Sequence, residues 1–299
     1  MVSGVLNIYK EKGYTSHDVV AKMRGIFRQR KIGHAGTLDP EAEGVLPVCL
    51  GNATRIADLL TDHSKTYRAG LRFGLVTDTQ DSTGQVLEEG DPSYLTEEEA
   101  RRVILSFVGP YAQIPPMYSA KKQNGKKLYE LARAGITVER EPAQVTVHRI
   151  DIRNMQLPEA VLEVDCSRGT YIRTLCHDIG QAAGCGAVMT GLLRTRVGSF
   201  HVEDSVTLSQ LEEKIEAGEL ERFLIPVEEL FLDVLRGSVF TEEGDRKLKN
   251  GNALTPPELQ VPPGLPRVRA CDMQGRFRAL YRYDETRQLY VPEKMFPDM

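Results

Sequence analysis

The sequence has five cysteines, Cys49, Cys166, Cys176, Cys185 and Cys271, an odd count with no C-x-x-C pair among them. That pattern excludes a disulfide framework and a zinc ribbon, and points to reduced, buried thiols. Cys176, His177 and Asp178 bring three donor types together, yet adjacent helical residues point in divergent directions and do not converge on one ion. No apolar run approaches the roughly 20 residues needed to span a bilayer. The opening MVSGVLNIYKEKGYTS lacks the apolar core of a signal peptide. No repeat recurs at solenoid spacing. A cytoplasmic protein with no membrane partner is the expectation.

What remains is an ordinary globular composition, 41% apolar and 27% charged over 299 residues. A chain of that length supports about two domains. The net charge of −4 argues against a nucleic-acid partner until it is read locally. Between Glu203 and Asp233 ten acids face only Lys214 and Arg222, a net of −8, which leaves the rest of the chain at +4. Arg24, Arg28, Arg30 and Lys31 form a run without an acid, and from Ser119 to Ile150 seven bases oppose three acids. Most such runs are solvated faces, so their position relative to a site must decide.

Along the chain, GVLNIYK reads as a strand, and Ser16 as the N-cap of a helix with Val19, Val20, Met23 and Phe27 at helical spacing. GVLPVCLG reads as a buried strand and KTYRAGLRFG as an alternating one, followed by a polar loop, VTDTQDSTG. Thr96 and Glu99 make a capping box ahead of a helix. Residues 144–152 and 160–167 are strands joined too closely for a crossover helix, so the sheet is antiparallel or mixed and the class is α+β. Residues 113–142 form a Lys/Gly-rich excursion from that sheet. TPPELQVPPGLPR carries five prolines but leaves only 32 residues after it, and is read as a loop inside a small β module beginning near Asp233. The expected division is 1–232 and 233–299.

KIGHAGTLDPEAEG, residues 31–44, carries the chemistry. Pro40 restricts Asp39 to an extended or turn conformation. Gly33 and Gly36 allow close backbone approach, His34 adds a ring with two hydrogen-bonding edges, and a basic run feeds into the loop. GHAG matches the clamp of KH domains, but a strand follows where that clamp needs a helix. A phosphate loop fails because no Gly-Lys-Ser/Thr follows. In SRGTYIRTL, Ile172, Leu175, Cys176 and Ile179 mark the buried face of a helix, leaving Arg173 at its flank to hold Asp39 ionised. Tyr67 lies on the alternating strand. These residues leave open a sugar-attacking hydrolase, with Glu41 or Glu43 as a second carboxylate, and a non-catalytic RNA-binding module.

GVLNIYKEKGYTSHDVV, KIGHAGTLDPEAEGVLPVCLGNATR, KTYRAGLRFGLVTDTQDSTG, IPPMYSAKKQNGKKLYELARAG and CSRGTYIRTL, in this order, closely resemble the TruB family of tRNA pseudouridine synthases over nearly the whole chain. Lys10-Glu11 departs from the Lys-Pro common in that family. The resemblance implies an antiparallel-rich catalytic domain, a C-terminal PUA-like RNA-binding domain, and isomerisation of uridine 55 in the tRNA T-loop to pseudouridine without a cofactor. It also implies Asp39 as nucleophile, Arg173 as its charge partner and Tyr67 stacking on the flipped base. Substrate or RNA contacts are implied for His34, Tyr171, Leu192 and Lys10. The same holds for Lys121, Lys122, Lys126 and Lys127 of an arm that closes over the T-arm stem-loop. A monomer with no obligate protein partner is expected.

Overall fold

The computed structural model describes residues 1–119, 121–123 and 125–296. The chain begins with β1 (Gly4–Lys10), α1 (Ser16–Phe27), the short β2 (Ile32–His34) and β3 (Glu43–Leu50). A 3-10 turn and α2 (Ala57–Thr61) lead into β4 (Lys65–Phe73). β5 (Leu75–Thr77) and β6 (Val86–Glu89) form a hairpin around the polar loop, followed by α3 (Glu97–Leu105) and β7 (Gly109–Gln113). The excursion contains β8 (Lys122–Gln123), β9 (Lys126–Lys127) and α4 (Leu128–Arg133). β10 (Ala143–Gln156), β11 (Glu159–Cys166), α5 (Ile172–Ala183) and β12 (Ala187–Val197) come next, then β13 (Phe200–His201) and α6 (Leu208–Glu216). The last segment runs through β14 (Arg236–Ser238), α7 (Glu242–Lys249), α8 (Pro256–Leu259), β15 (Arg267–Cys271), β16 (Phe277–Asp284) and β17 (Leu289–Met295).

The main sheet has the order β1-β3-β12-β4-β11-β10-β7, with β2 added on β3 and β13 on β12. Every pairing is antiparallel except β12 with β3, where Leu193 and Arg194 run parallel to Glu43 and Gly44. The sheet is therefore mixed, and its one parallel seam lies beside the loop that carries Asp39. β1 and β3 are apolar along most of their length because both faces are covered. Leu6, Ile8, Leu46 and Val48 pack beneath α1 and α6, whereas Val5, Val45 and Cys49 face the C-terminal part. β4 buries Tyr67, Ala69, Leu71 and Phe73 beneath α5.

Two local readings change. The N-cap of α1 is Thr15, whose hydroxyl accepts from the Asp18 amide while the Asp18 carboxylate accepts from the Thr15 amide. Ser16 is inside the helix, and its hydroxyl is free to hold the Asp39 loop. The proline-rich stretch contains α8, with Thr255 and Glu258 forming its capping box and Pro256 in the first turn, where a missing N–H costs nothing.

The four-stranded sheet β14-β15-β16-β17 has its own core around Val239, Leu248, Val268 and Tyr281. It does not stand apart from the rest. Cys271, Phe277, Leu280 and Phe296 share one apolar cluster with Val5, Val45 and Ile56. Lys294 bridges to Asp58 at 2.6 Å across the same junction.

Gly44 has φ +104°, and a Cβ added there would lie 2.3 Å from the Arg194 carbonyl oxygen. Both the left-handed backbone and the clash oppose a side chain. Gly44→Ala is expected to lose at least about 2 kcal/mol of stability, read as a lower denaturation midpoint. An unchanged midpoint would contradict this account of the parallel seam.

Candidate active site

The loop from Ala35 to Ala42 is held from both sides. The Ala35 amide donates to Pro47 O at 2.9 Å, and the Leu38 amide donates to Ser16 Oγ at 2.9 Å. The Gly13 amide donates to Pro40 O at 2.9 Å, and the Ala42 amide closes a turn onto Asp39 O at 3.1 Å. Lys10 Nζ donates to the carbonyls of Tyr14 at 2.6 Å and of Glu11 and Pro40 at 3.2 Å. Asp39 is thus presented on a fixed backbone with its carboxylate half exposed.

Arg173, the second residue of α5, meets that carboxylate: Nη2 lies 3.1 Å from Asp39 Oδ2. Its side chain is only 7% exposed, against 45% for Asp39. The same nitrogen donates to the Tyr118 carbonyl of the excursion, while Nε is buried without a partner. Ser119, next in the chain, accepts from the Tyr129 amide at 3.1 Å, so the start of α4 is tied to the residues over the site.

These groups line a cavity of about 260 Å³ with Tyr67, Tyr171, Leu192 and Arg194. Tyr67 is buried on β4, opposite Arg194 of β12 in the strand register. Burial raises its pKa, and the Arg194 guanidinium opposes that rise. Tyr171 leads into α5, with its amide donating to Gln113 Oε1 at 2.8 Å and its carbonyl accepting from Gln113 Nε2 at 3.0 Å. Lys65 also lines the cavity, its ammonium turned onto the carbonyls of Thr61 and His63 and its pKa pushed down to about 8, chiefly by burial. Arg173, Arg194 and Lys65 bring positive charge to a cavity that contains one carboxylate, Asp39.

Other expected contacts fall outside this cavity. Lys10 was expected to contact RNA, but its side chain is fully buried and its ammonium is occupied by three carbonyls. Burial brings its pKa down to about 8, against the pull of Asp39 and Glu43. This lysine braces the turn at Pro40. His34 ends β2 and stands edge-on to His17, with ring centroids 5.4 Å apart. Burial foremost, then His17 and Arg194, push its pKa down to about 4, which keeps the ring neutral. Lys121 and Lys126 are exposed, and Lys127 sits 3.3 Å from the Tyr129 hydroxyl. The side chain of Lys122 lies outside the described residues. Glu41 pairs with Lys12 at 3.2 Å and Glu43 accepts from the Tyr9 hydroxyl at 3.4 Å, so both are engaged away from the cavity. Among the described residues no three His, Cys, Asp or Glu side chains cluster as metal ligands.

Sequence reasoning missed Lys65, Ser119, Gln113 and Arg194. For two of them a signal was present: Lys65 shares a strand face with Tyr67, and Arg194 with Leu192, each two residues away.

A family model described as TruB family pseudouridylate synthase (N terminal domain) matches residues 24–172. A second, described as tRNA pseudouridylate synthase B C-terminal domain, matches 173–232. The chain belongs to the TruB family. It is 48% identical to the tRNA pseudouridine synthase B of Lachnoclostridium phytofermentans, over 99% of this chain and all of that one. It is 42% identical to that of Listeria welshimeri over 98% of each. Among solved structures, a chain of a Cbf5-Nop10-Gar1 complex is similar with a TM-score of 0.75 and 27% identity, covering 98% of this chain and 84% of that one. As a TruB-family chain this is a pseudouridine synthase, an isomerase. The boundary between the two family models separates Ile172 from Arg173 inside α5, so neither contains the Asp39–Arg173 pair by itself.

His34 gives the site a pH signature. Its folded pKa of about 4 lies below the value of roughly 6.5 in an unfolded chain, so the unfolded state takes up the proton first as pH falls. The stability contributed by the neutral ring is complete above pH about 6.5 and is lost as pH falls towards about 4. Denaturation midpoints should therefore drop between pH 7 and pH 5, each set to within about 0.1 unit, and drop less in His34→Gln. An equal drop in both proteins would contradict the assignment.

Proposed function

We propose that this TruB-family chain isomerises uridine 55 in the T-loop of tRNA to pseudouridine, with Asp39 as the nucleophile and no cofactor. The observation that carries the reading is the Asp39–Arg173 pair at 3.1 Å, placed in the wall of a cavity suited to one base. The name shared by the curated relatives, tRNA pseudouridine synthase B, supports the substrate class.

A stacked base is out of reach of a carboxylate in such a cavity, so the nucleotide must be flipped out, at a cost of a few kcal/mol. Stacking on the Tyr67 ring offsets part of that, at roughly 1–3 kcal/mol per base. Leu192 and Tyr171 bound the same space. Asp39 then forms a bond to C6 of the ring or to the anomeric carbon of the sugar, and the N1–C1′ bond breaks. The base turns, C5 bonds to C1′, the Asp39 bond is released, the C5 proton leaves and N1 gains one. Tyr67 lines the cavity and is the candidate to receive the C5 proton as its own hydroxyl proton passes on towards N1, so that the phenol ends as it began. Atoms and charge balance, as an isomerisation requires. The Arg173 guanidinium lies 3.1 Å from the carboxylate, and a cation at that distance steadies and orients the anion that attacks.

Recognition of the T-arm falls to the arm of residues 113–142, whose exposed Lys121 and Lys126 extend from the segment covering Arg173. The −8 stretch is carried by α6 and its neighbours, packed against α1 and β1. We assign residues 1–232 to catalysis and 233–299 to a PUA-like RNA-binding domain, in a monomer acting in the cytoplasm.

Incubation with unmodified tRNA transcript and mapping of the product tests the reading directly. Wild type should convert position 55, and Asp39→Asn should bind T-arm RNA at least as well yet form no pseudouridine. Turnover by Asp39→Asn at even about a tenth of the wild-type rate, with reversion to Asp excluded by mass spectrometry, would remove the nucleophile. Free uracil in the products would instead favour a hydrolase.

Charge reversal at Lys121 and Lys126 should weaken T-arm binding and flatten its salt dependence by about one unit of slope per lost phosphate contact. Reversal at Glu212, Glu213 and Glu216 should do neither. Equal effects from the two sets would take the arm out of the account.

A further inference from the structure

Arg194 is the largest fully buried side chain among the described residues, 1% exposed, and no carboxylate pairs with it there. A cation sealed in a protein is costly unless its charge is compensated, and a neutral side chain serves better where only packing is needed. Its donors are distributed as follows. Nε donates to Val45 O at 2.7 Å, Nη2 to Gly36 O at 3.1 Å and Nη1 to Thr37 O at 3.4 Å. The guanidinium has five N–H groups in a rigid fork, so two remain after these three bonds. Tyr67 stands directly opposite Arg194 on the neighbouring strand, so the two side chains lie on the same face of the sheet and line the same cavity.

One residue therefore stands between both halves of the proposed chemistry, bonded to the Asp39 loop and paired across the strands with Tyr67. Gly36 and Thr37 precede Asp39 by three and two residues, and Tyr67 closes the other side of the cavity. Gly36, at φ +93°, brings its carbonyl to the fork, and a Cβ there would lie 3.6 Å from Nη1. The backbone of Arg194 is equally fixed, paired with Gly44 on one side and Tyr67 on the other. The strand β12 thus holds the loop of Asp39 and the strand of Tyr67 at a set separation, and the guanidinium anchors the loop.

We propose that Arg194 is a positioning residue for the isomerisation: its fork fixes the Asp39 loop through Gly36 and Thr37, and its charge stands beside Tyr67 in the wall of the cavity. The inference rests on the reading of Asp39 and Tyr67 given above. The retained charge has a further use, since the base carries developing negative charge once the N1–C1′ bond breaks. A fixed cation in the cavity wall stabilises that charge without reorganising. A neutral brace would hold the loop but supply no field.

Arg194→Gln keeps two donors and loses the charge and the fork, whereas Arg194→Lys keeps the charge and loses the fork. Each is measured for single-turnover pseudouridine formation at saturating T-arm RNA, for T-arm affinity and for melting temperature, beside wild type and Asp39→Asn. Arg194→Gln should slow the chemical step by about 100-fold and Arg194→Lys by about 10-fold, each with affinity within about threefold of wild type. If Gln does not fold, Lys decides alone: slower chemistry at unchanged affinity supports the inference. Two results overturn it: a rate within about threefold of wild type, or a rate loss matched by lost affinity in the Lys variant, which marks a structural brace only. Activity in Asp39→Asn would instead break the underlying assignment, whatever the Arg194 variants do.

Discussion

The enclosed Arg173 guanidinium has one backbone carbonyl, that of Tyr118, and an unpartnered Nε, so an anion must offset its charge, and Asp39 is the only carboxylate paired with it among the described residues. Leaving such a charge unpaired costs several kcal/mol, so the loop and α5 have to meet at this point. The surrounding construction follows from that need. Ser16, Gly13 and Lys10 hold the backbone on either side of Asp39, and the buried face of α5 sets Arg173 on the sheet. Tyr118 adds a carbonyl to the same nitrogen, which makes the excursion part of the site rather than an appendage. An exposed aspartate alone would be an Asp-Pro turn. Paired with a buried cation, it becomes a carboxylate held at one place.

The cavity differs from an ordinary ligand pocket in its sign. Arg194 and Lys65 are both enclosed, and both have their donors directed to backbone carbonyls. Carbonyl dipoles offset part of the burial cost without cancelling the charge. The net −4 of the whole chain gives no hint of this, because the acids are concentrated between Glu203 and Asp233. Local field and total charge are separate properties here, and the local one bears on RNA.

Much of this was legible in the sequence for physical reasons. The α+β class followed from strands joined too tightly for crossover helices, and Arg173 from the apolar stripe that Ile172, Leu175 and Ile179 impose on α5. The pairing of Asp39 with Arg173 could be anticipated because a carboxylate with work to do needs a cation. Lys10 could not be read correctly: nothing in a lysine's spacing says that its ammonium will be captured by the carbonyls of Glu11, Tyr14 and Pro40. Arg194 shares a strand face with Leu192, but an arginine on an alternating strand is ordinarily on the wet face, and its spacing does not say that β3, β4 and the Asp39 loop will enclose it. The N-cap of α1 slipped by one residue because Thr15 and Ser16 are both good caps.

The central claim is that Arg173 gives Asp39 its reactivity, beyond holding it in place. The most direct measurement is the single-turnover rate of pseudouridine formation by Arg173→Ala at saturating T-arm RNA, with affinity measured in parallel. The account predicts a rate at least about 100-fold below wild type at nearly unchanged affinity. A rate within about threefold of wild type would contradict it.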